Sequence, residues 1–248
     1  MSNTKEMSKR QARREQIRRK EMRGRLFAIG LISIGAIFLV FLVISPYLTP
    51  VGEVATAEPR TYPQADKTAL GDPKAPVKID VYEDFQCPAC LNFTEDVEPR
   101  IIENLVQTGK VYYVFHNYPF IDGDGAGNGG ESDQSANASM CASEQGKFWE
   151  MHGTIFANWN NENQGAYADR RLRSFAEKTD LDMDAFDACF NANKYKKEIQ
   201  ADFDGGIALG VSGTPSVFVN GVIVNPGYVP SYEEINTAVE AALAAAGN

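Results

Sequence analysis

Twenty consecutive residues without a charge, Leu26 to Ser45, set the first constraint on what this chain can become. At about 1.5 Å per helical residue such a run spans a hydrocarbon core of ~30 Å, and Pro46 ends it. Residues 1–25 carry ten Lys/Arg and three Asp/Glu, a bias that predicts a cytoplasmic N-terminus and an outward-facing remainder. A cleaved signal peptide competes with this reading, because Ala55-Thr56-Ala57 offers a small-residue cleavage pattern. The apolar run exceeds the usual ~7–15 residues of a signal and lies well before Ala55, so a single-pass, uncleaved anchor in the cell membrane is expected.

The rest of the chain is of a different character. It carries 14 basic and 30 acidic residues, a balance of −16, which excludes nucleic acid as a partner, since phosphate binding needs a basic face. Residues 46–70, with four prolines, read as a linker, and Gly71-Asp72-Pro73 marks the start of the folded domain at 71–248. All four cysteines fall in this part, which suits an oxidising compartment.

Within that domain the hexapeptide Phe85-Gln86-Cys87-Pro88-Ala89-Cys90 stands where a strand-like run gives way to a helix-like one. Spacing alone leaves a redox pair, a structural disulfide and half of a metal site open. Position favours redox chemistry: unpaired N–H groups and the dipole at a helix N-terminus stabilise a thiolate, and Pro88 suits a first turn. Cys87 is then the nucleophile, and Cys90, a turn deeper, the resolving thiol.

Alternation of Val77, Ile79 and Val81 predicts a strand over 77–82, and Val111–Phe115 a buried one. The helical pattern after Cys90 runs to Thr108, divided by Pro99. The Gly-rich stretch Asp122–Gly130 distantly resembles a calcium loop, but Ala126 and the missing terminal Glu favour a plain surface loop. Residues 132–191 read as helical throughout, an inserted subdomain, and another helix follows to about Gly210. Val217–Val219 and Val222–Val224 flank Asn220-Gly221 as a hairpin, and Ser231 with Glu234 caps a final helix. Neither His116 nor His152 has catalytic or zinc-ligand spacing, and no metal or cofactor is expected.

The order β-α-β, helical insert, α-β-β-α, with Cys-x-x-Cys at the first strand–helix turn, resembles the thioredoxin fold, an α/β architecture. Gly213-Thr214-Pro215 before the hairpin is a second match: in thioredoxin-like proteins this proline is cis, packs beside the cysteines, and Thr214 pairs with substrate backbone. Closer still is the DsbA family, in its membrane-tethered BdbD-like branch. The likeness runs through Gly71-Asp72-Pro73, Asp84-Phe85-Gln86-Cys87-Pro88-Ala89-Cys90, Cys141-Ala142, Gln145–Glu150, Gly213-Thr214-Pro215 and Val219-Asn220-Gly221.

That resemblance implies an extracytoplasmic oxidase that passes the Cys87–Cys90 disulfide to unfolded secreted or membrane proteins. It also implies regeneration by a membrane oxidase of the DsbB or VKOR type, and a structural Cys141–Cys189 bridge. Two positions depart from the family. Ala89 removes a polar group that tunes the couple. Val81 stands where many relatives keep a buried acid, leaving Glu83 or Asp84 as proton acceptor for Cys90. A tethered reductase or isomerase, and a non-enzymatic metal-binding or chaperone-like module, are the rival functions.

Overall fold

The computed structural model describes residues 3–48, 51–123 and 129–246, in two compact units divided between Gly52 and Glu53. The first unit is one helix, α1 (Asn3–Leu48). Basic tail and apolar run are continuous in it, and residues 26–44 present exposed Leu, Ile, Phe and Val side chains. It is long and apolar enough to cross a membrane.

The second unit grows around strand β2 (Val77–Glu83). Side chains alternate across a strand, so Val77, Ile79, Val81 and Glu83 share one face, while Lys78, Asp80 and Tyr82 share the other. β2 runs parallel to β3 (Val111–Asn117), with Val81 opposite Phe115 and Glu83 opposite Asn117. On its other edge it pairs antiparallel with β4 (Ser216–Val219), which turns through Asn220-Gly221 into β5 (Val222–Ile223). Asn220 and Gly221 both take positive φ, 47° and 79°, as a two-residue hairpin turn requires. A two-residue strand that periodicity did not reveal, β1 (Ala69–Leu70), completes the order β1-β3-β2-β4-β5.

Helix α2 (Pro88–Asp96) follows β2, and the chain breaks at Val97 before α3 (Glu98–Ile101) and a π-turn over Ile102–Val106. Pro99 sits at the first turn of α3, where its missing N–H costs nothing. The insert comprises α4 (Glu131–Ser143), α5 (Phe148–Ala157), α6 (Asp169–Lys178) and α7 (Met183–Asn191). It is not helical throughout. Asn161, Asn163 and Gly165 adopt positive φ, and the loop they shape turns back towards the cysteines. α8 (Lys196–Ala208) crosses the second face of the sheet, with Gly206 against Tyr118, and α9 (Tyr232–Ala246) closes the chain. At its start Ser231 and Glu234 exchange hydrogen bonds as a capping box. This is the thioredoxin-fold arrangement with a helical insert. Residues 124–128 of the Gly-rich stretch lie outside the described residues, as do 49–50 of the expected linker.

The linker itself is shorter than its proline content suggests. Val54 packs against the core, Ala55 N–H donates to Asn158 Oδ1 at 3.0 Å, and the Tyr62 ring stacks on Trp149. The composition of residues 46–70 is that of a spacer, but these apolar side chains find a surface to cover, and from Val54 the segment is part of the body.

Two features hold the unit together away from the cysteine pair. Cys141 on α4 and Cys189 on α7 form a disulfide, with Cα atoms 5.8 Å apart and a sequence separation of 48. Constraining so long a loop in the unfolded chain stabilises by about 2–4 kcal/mol. The Cys141→Ala/Cys189→Ala protein should therefore melt roughly 5–12 °C lower by calorimetry while keeping its secondary structure. On the second face, His116 lies between Asp80 (2.7 Å) and Asp202 (3.0 Å). Burial works against its charge, but the two carboxylates win and raise its pKa to about 9. The folded pKa exceeds the unfolded value of ~6.5, so this stabilisation is complete below pH ~6.5 and is lost as pH rises through about 9. Denaturant titrations should show stability falling by about 2 kcal/mol between pH 7 and 10, and His116→Gln should flatten that decline.

Candidate active site

Cys87 is the N-cap of α2 and Pro88 its first helical residue, so no side chain caps the helix and the thiol occupies the anion position. Its pKa falls to about 6, with the Cys90 thiol as the largest cause. Thr214 and the backbone N–H groups of Cys90 and Ala89 add to this, against the opposing effect of burial. Cys87 Sγ lies 3.4 Å from the Thr214 carbonyl oxygen, and the Thr214–Pro215 bond is cis. Cys90 is completely buried, and burial pushes its thiol well above the usual range, with the Cys87 interaction and the nearby Glu83 acting in the same direction. One sulfur is nucleophilic and keeps a 6% opening to solvent; the other is protonated and fully shielded. Both are free thiols, the reduced state of the couple.

The two candidate acids separate clearly. Glu83 stands on the core-facing side of β2 behind the cysteines, buried, and neither carboxyl oxygen accepts a hydrogen bond of normal geometry. Burial, with the adjacent Glu98, raises its pKa well above the ordinary carboxyl value, and the Cys90 thiol is the group that favours its charged form. Asp84 is engaged differently: burial raises its pKa to about 7, with the Cys87 thiol adding to the rise, while its oxygens are taken up by the neighbouring loop. Its carboxylate accepts from Gln86 N (2.8 Å), Phe120 N, Ile121 N and Ser132 Oγ (2.7 Å), and so fixes the loop entering the motif. These four donors occupy both of its oxygens.

The insert supplies the other side of this clamp. Trp159 Nε1 donates to Gln86 O at 2.7 Å, Tyr167 Oη to Phe85 O at 3.0 Å, and Asn163 N to Gln86 Oε1 at 2.6 Å. Gln86 Nε2 donates in turn to Ser132 Oγ and Asp122 Oδ1. These groups went unrecognised because they lie in a stretch expected to be helical. The run Asn160-Asn161-Glu162-Asn163-Gln164-Gly165 is the signal that marks it as a loop.

Glu98 and His152 also join the site unannounced. Among the described residues, Glu83, Glu98 and His152 are the grouping whose ligand atoms, all within 4.8 Å of one another, could hold a metal ion. Glu98 accepts from Tyr113 Oη (3.3 Å) and lies 3.5 Å from Arg60 Nη1.

A mixed sheet that presents a low-pKa Cys-x-x-Cys sulfur at a helix N-terminus, beside a cis-proline, defines a dithiol–disulfide exchange protein. A thioredoxin family model matches residues 64–241. The probable disulfide bond formation protein D of Bacillus cereus is 32% identical over 164 residues, 64% of this chain and 73% of that protein. Among solved structures, oxidised BdbD of Bacillus subtilis covers 78% of this chain and 100% of its own at a TM-score of 0.63 and 22% identity. Wolbachia pipientis α-DsbA1 does so over 75% and 94% at 0.61 and 26%. The chain belongs to the DsbA family of thiol-disulfide oxidoreductases, within the thioredoxin fold.

Proposed function

We propose that this enzyme is a membrane-anchored, extracytoplasmic oxidant of protein thiols. The observation that carries this reading is the Cys87 sulfur at the α2 N-terminus, with its pKa at about 6. A substrate thiolate attacks Cys87 Sγ of the disulfide form, and the S–S bond breaks with its electron pair leaving on Cys90. A second substrate thiolate then attacks the substrate sulfur of the mixed disulfide and expels Cys87 as thiolate. Two substrate thiols become a disulfide, and the enzyme keeps the two electrons as Cys87 and Cys90 thiols. Glu83 exchanges the proton of Cys90.

Substrate is an unfolded segment of a secreted or membrane protein. Thr214 lends its backbone, and the surface beside it, lined by Ser212, Pro215, Val224, Tyr228 and Val229, accepts apolar side chains without demanding a sequence. Tyr228 is 76% exposed and Val229 45%. The basic residues ahead of the apolar run support an N-terminus inside and a catalytic body outside, and the Cys141–Cys189 bridge suits an oxidising compartment. Reoxidation falls to a DsbB- or VKOR-type membrane oxidase, to which the couple returns its electrons. Equilibration with glutathione tests the direction of flow. An oxidant requires a Cys87–Cys90 potential clearly above thioredoxin's ~−270 mV; a value at or below it supports a tethered reductase instead. Labelling of Cys87 by a membrane-impermeant maleimide in intact cells tests the topology, and protection until lysis contradicts it.

A further inference from the structure

The mechanism so far uses one buried acid, and the fold contains two. Glu98, contributed by α3, faces Glu83 across the core, and His152 from α5 completes the triangle; all three are 0–1% exposed. Glu83 Oε1 and Oε2, Glu98 Oε2 and His152 Nε2 are buried without a hydrogen-bond partner. Of these, Glu98 Oε2 keeps only the 3.5 Å ion pair with Arg60, and one ligand atom from each of the three residues lies within 4.8 Å of the other two, so a proton can be shared among them. Two carboxylates face one guanidinium, that of Arg60, 3.5 Å from Glu98. A second uncompensated charge at this depth costs several kcal/mol, so the pair holds at least one proton.

We propose that Glu83, Glu98 and His152 form a buried proton-sharing chain running from Cys90 to the partly exposed Arg60, with Glu98 as the second proton carrier of the redox step. Its inner end is the Cys90 thiol, which faces Glu83. Beside the two acids stands His152, whose Nε2 lies 3.9 Å from Glu98 Oε1 and offers their shared proton a polar neighbour. Phe85, Phe115, Trp149 and Phe156 enclose the ring, and burial pushes its pKa down to about 3. The imidazole is therefore neutral, a donor at one nitrogen and an acceptor at the other, and does not itself neutralise the acids. The outer end is Arg60, with 28% of its side chain exposed, on the segment joining the membrane helix to the body. Cys87 and Cys90 from α2, Tyr113 from β3, and Tyr62 and Arg60 from that segment are the other titratable or charged groups facing the acids. Glu150 stands behind Tyr62.

When the Cys87–Cys90 bond opens, the pair of electrons left on Cys90 Sγ takes the proton of Glu83. The Glu83 carboxylate takes one from Glu98, and Glu98 is refilled from water at Arg60. Reoxidation runs the same transfers backwards, so the chain serves either direction of electron flow. It does rest on Glu83 being the proton partner of Cys90.

The test follows the rate at which a small dithiol reduces the Cys87–Cys90 disulfide of the full-length protein in detergent, against pH, for wild type, Glu83→Gln, Glu98→Gln and Arg60→Gln. Glu98→Gln should slow the reaction about tenfold relative to wild type below pH 7, where Glu98 holds its proton, and add nothing in a Glu83→Gln background. Arg60→Gln should move the inflection of the profile about one unit higher, because Glu98 keeps its proton longer without the cation. Arg60 is near the surface, so this arm stands even if Glu98→Gln fails to fold. A changed profile for Glu83→Gln with wild-type profiles for Glu98→Gln and Arg60→Gln shows Glu83 acting alone and overturns the proposal. No change in Glu83→Gln removes the inner end of the chain, and with it both the proposal and the role given to Glu83. A stoichiometric divalent metal in the purified protein that Glu98→Gln abolishes overturns it in favour of a metal site.

Discussion

Cys87→Ser should lose catalysis of disulfide formation in a reduced, unfolded protein entirely, down to the spontaneous rate. The expectation follows from how unequal the two sulfurs are. At a pKa of about 6, Cys87 is roughly nine-tenths thiolate at pH 7, against ~3% for an ordinary thiol near 8.5. That stabilisation contributes about 1.4 kcal/mol to the reduced form, or ~30 mV for a two-electron couple. Cys90 cannot substitute for it, being completely buried and held protonated. The complementary variant separates the roles. Cys90→Ser should still attack an oxidised small-molecule disulfide and stop there, as a mixed disulfide on Cys87 visible by mass. Residual turnover in Cys87→Ser, or a mixed disulfide on Cys90, would reverse the assignment.

The second large effect belongs to Glu83→Gln. An acid–base partner positioned for a reacting group commonly contributes ~10²–10⁴-fold, and here the reacting group is a thiolate leaving into a fully buried site. Opening of the disulfide should slow about 100-fold at pH 7 in stopped-flow measurements. Titration of Cys87 should hold, since its shift comes from Cys90, Thr214 and the backbone N–H groups of α2 and not from Glu83. A variant with unchanged opening kinetics would mean that the proton of Cys90 comes directly from solvent, which the closure of the core behind Cys90 argues against. The same measurement on Asp84→Asn separates the two acids. Asp84 holds the loop through Gln86 N, Phe120 N, Ile121 N and Ser132 Oγ, so its loss should lower stability while the pH dependence of opening is kept.

These two acids also show where the sequence was readable and where it was not. Sequence left Glu83 and Asp84 as alternatives, because the expected strand stopped at Tyr82; the observed strand runs one residue further, and Glu83 then continues the buried series Val77, Ile79, Val81 at steps of two. A buried acid thus stands one repeat beyond Val81 on the same face. Asp84, a residue past the strand, follows no such rule. Strands β2, β3 and β4, the Asn-Gly hairpin, the helix division at Val97 just before Pro99 and the capping box at Ser231 were legible, because each rests on local periodicity or local turn chemistry, whereas β1 was not.

Glu98, His152 and Arg60 were not legible, since their meeting depends on how α3, α5 and the segment after α1 pack on one another. Nothing local announces it. Residues 54–68 read as a spacer by composition, and only the body's surface turns Val54 and Tyr62 into packing residues. The loop at 158–168 failed for a different reason: helical faces on either side of it hid an Asn-rich turn that clamps Gln86.

The central claim is that Cys87 is an activated thiolate while Cys90 is not. The most direct measurement is alkylation of the fully reduced protein by iodoacetamide across pH 4–10, with each cysteine followed separately by peptide mass. The account predicts one reactive cysteine, Cys87, with its rate rising through a midpoint near pH 6, and Cys90 unmodified on the same timescale. A midpoint near pH 8.5, or comparable modification of Cys90, would contradict it.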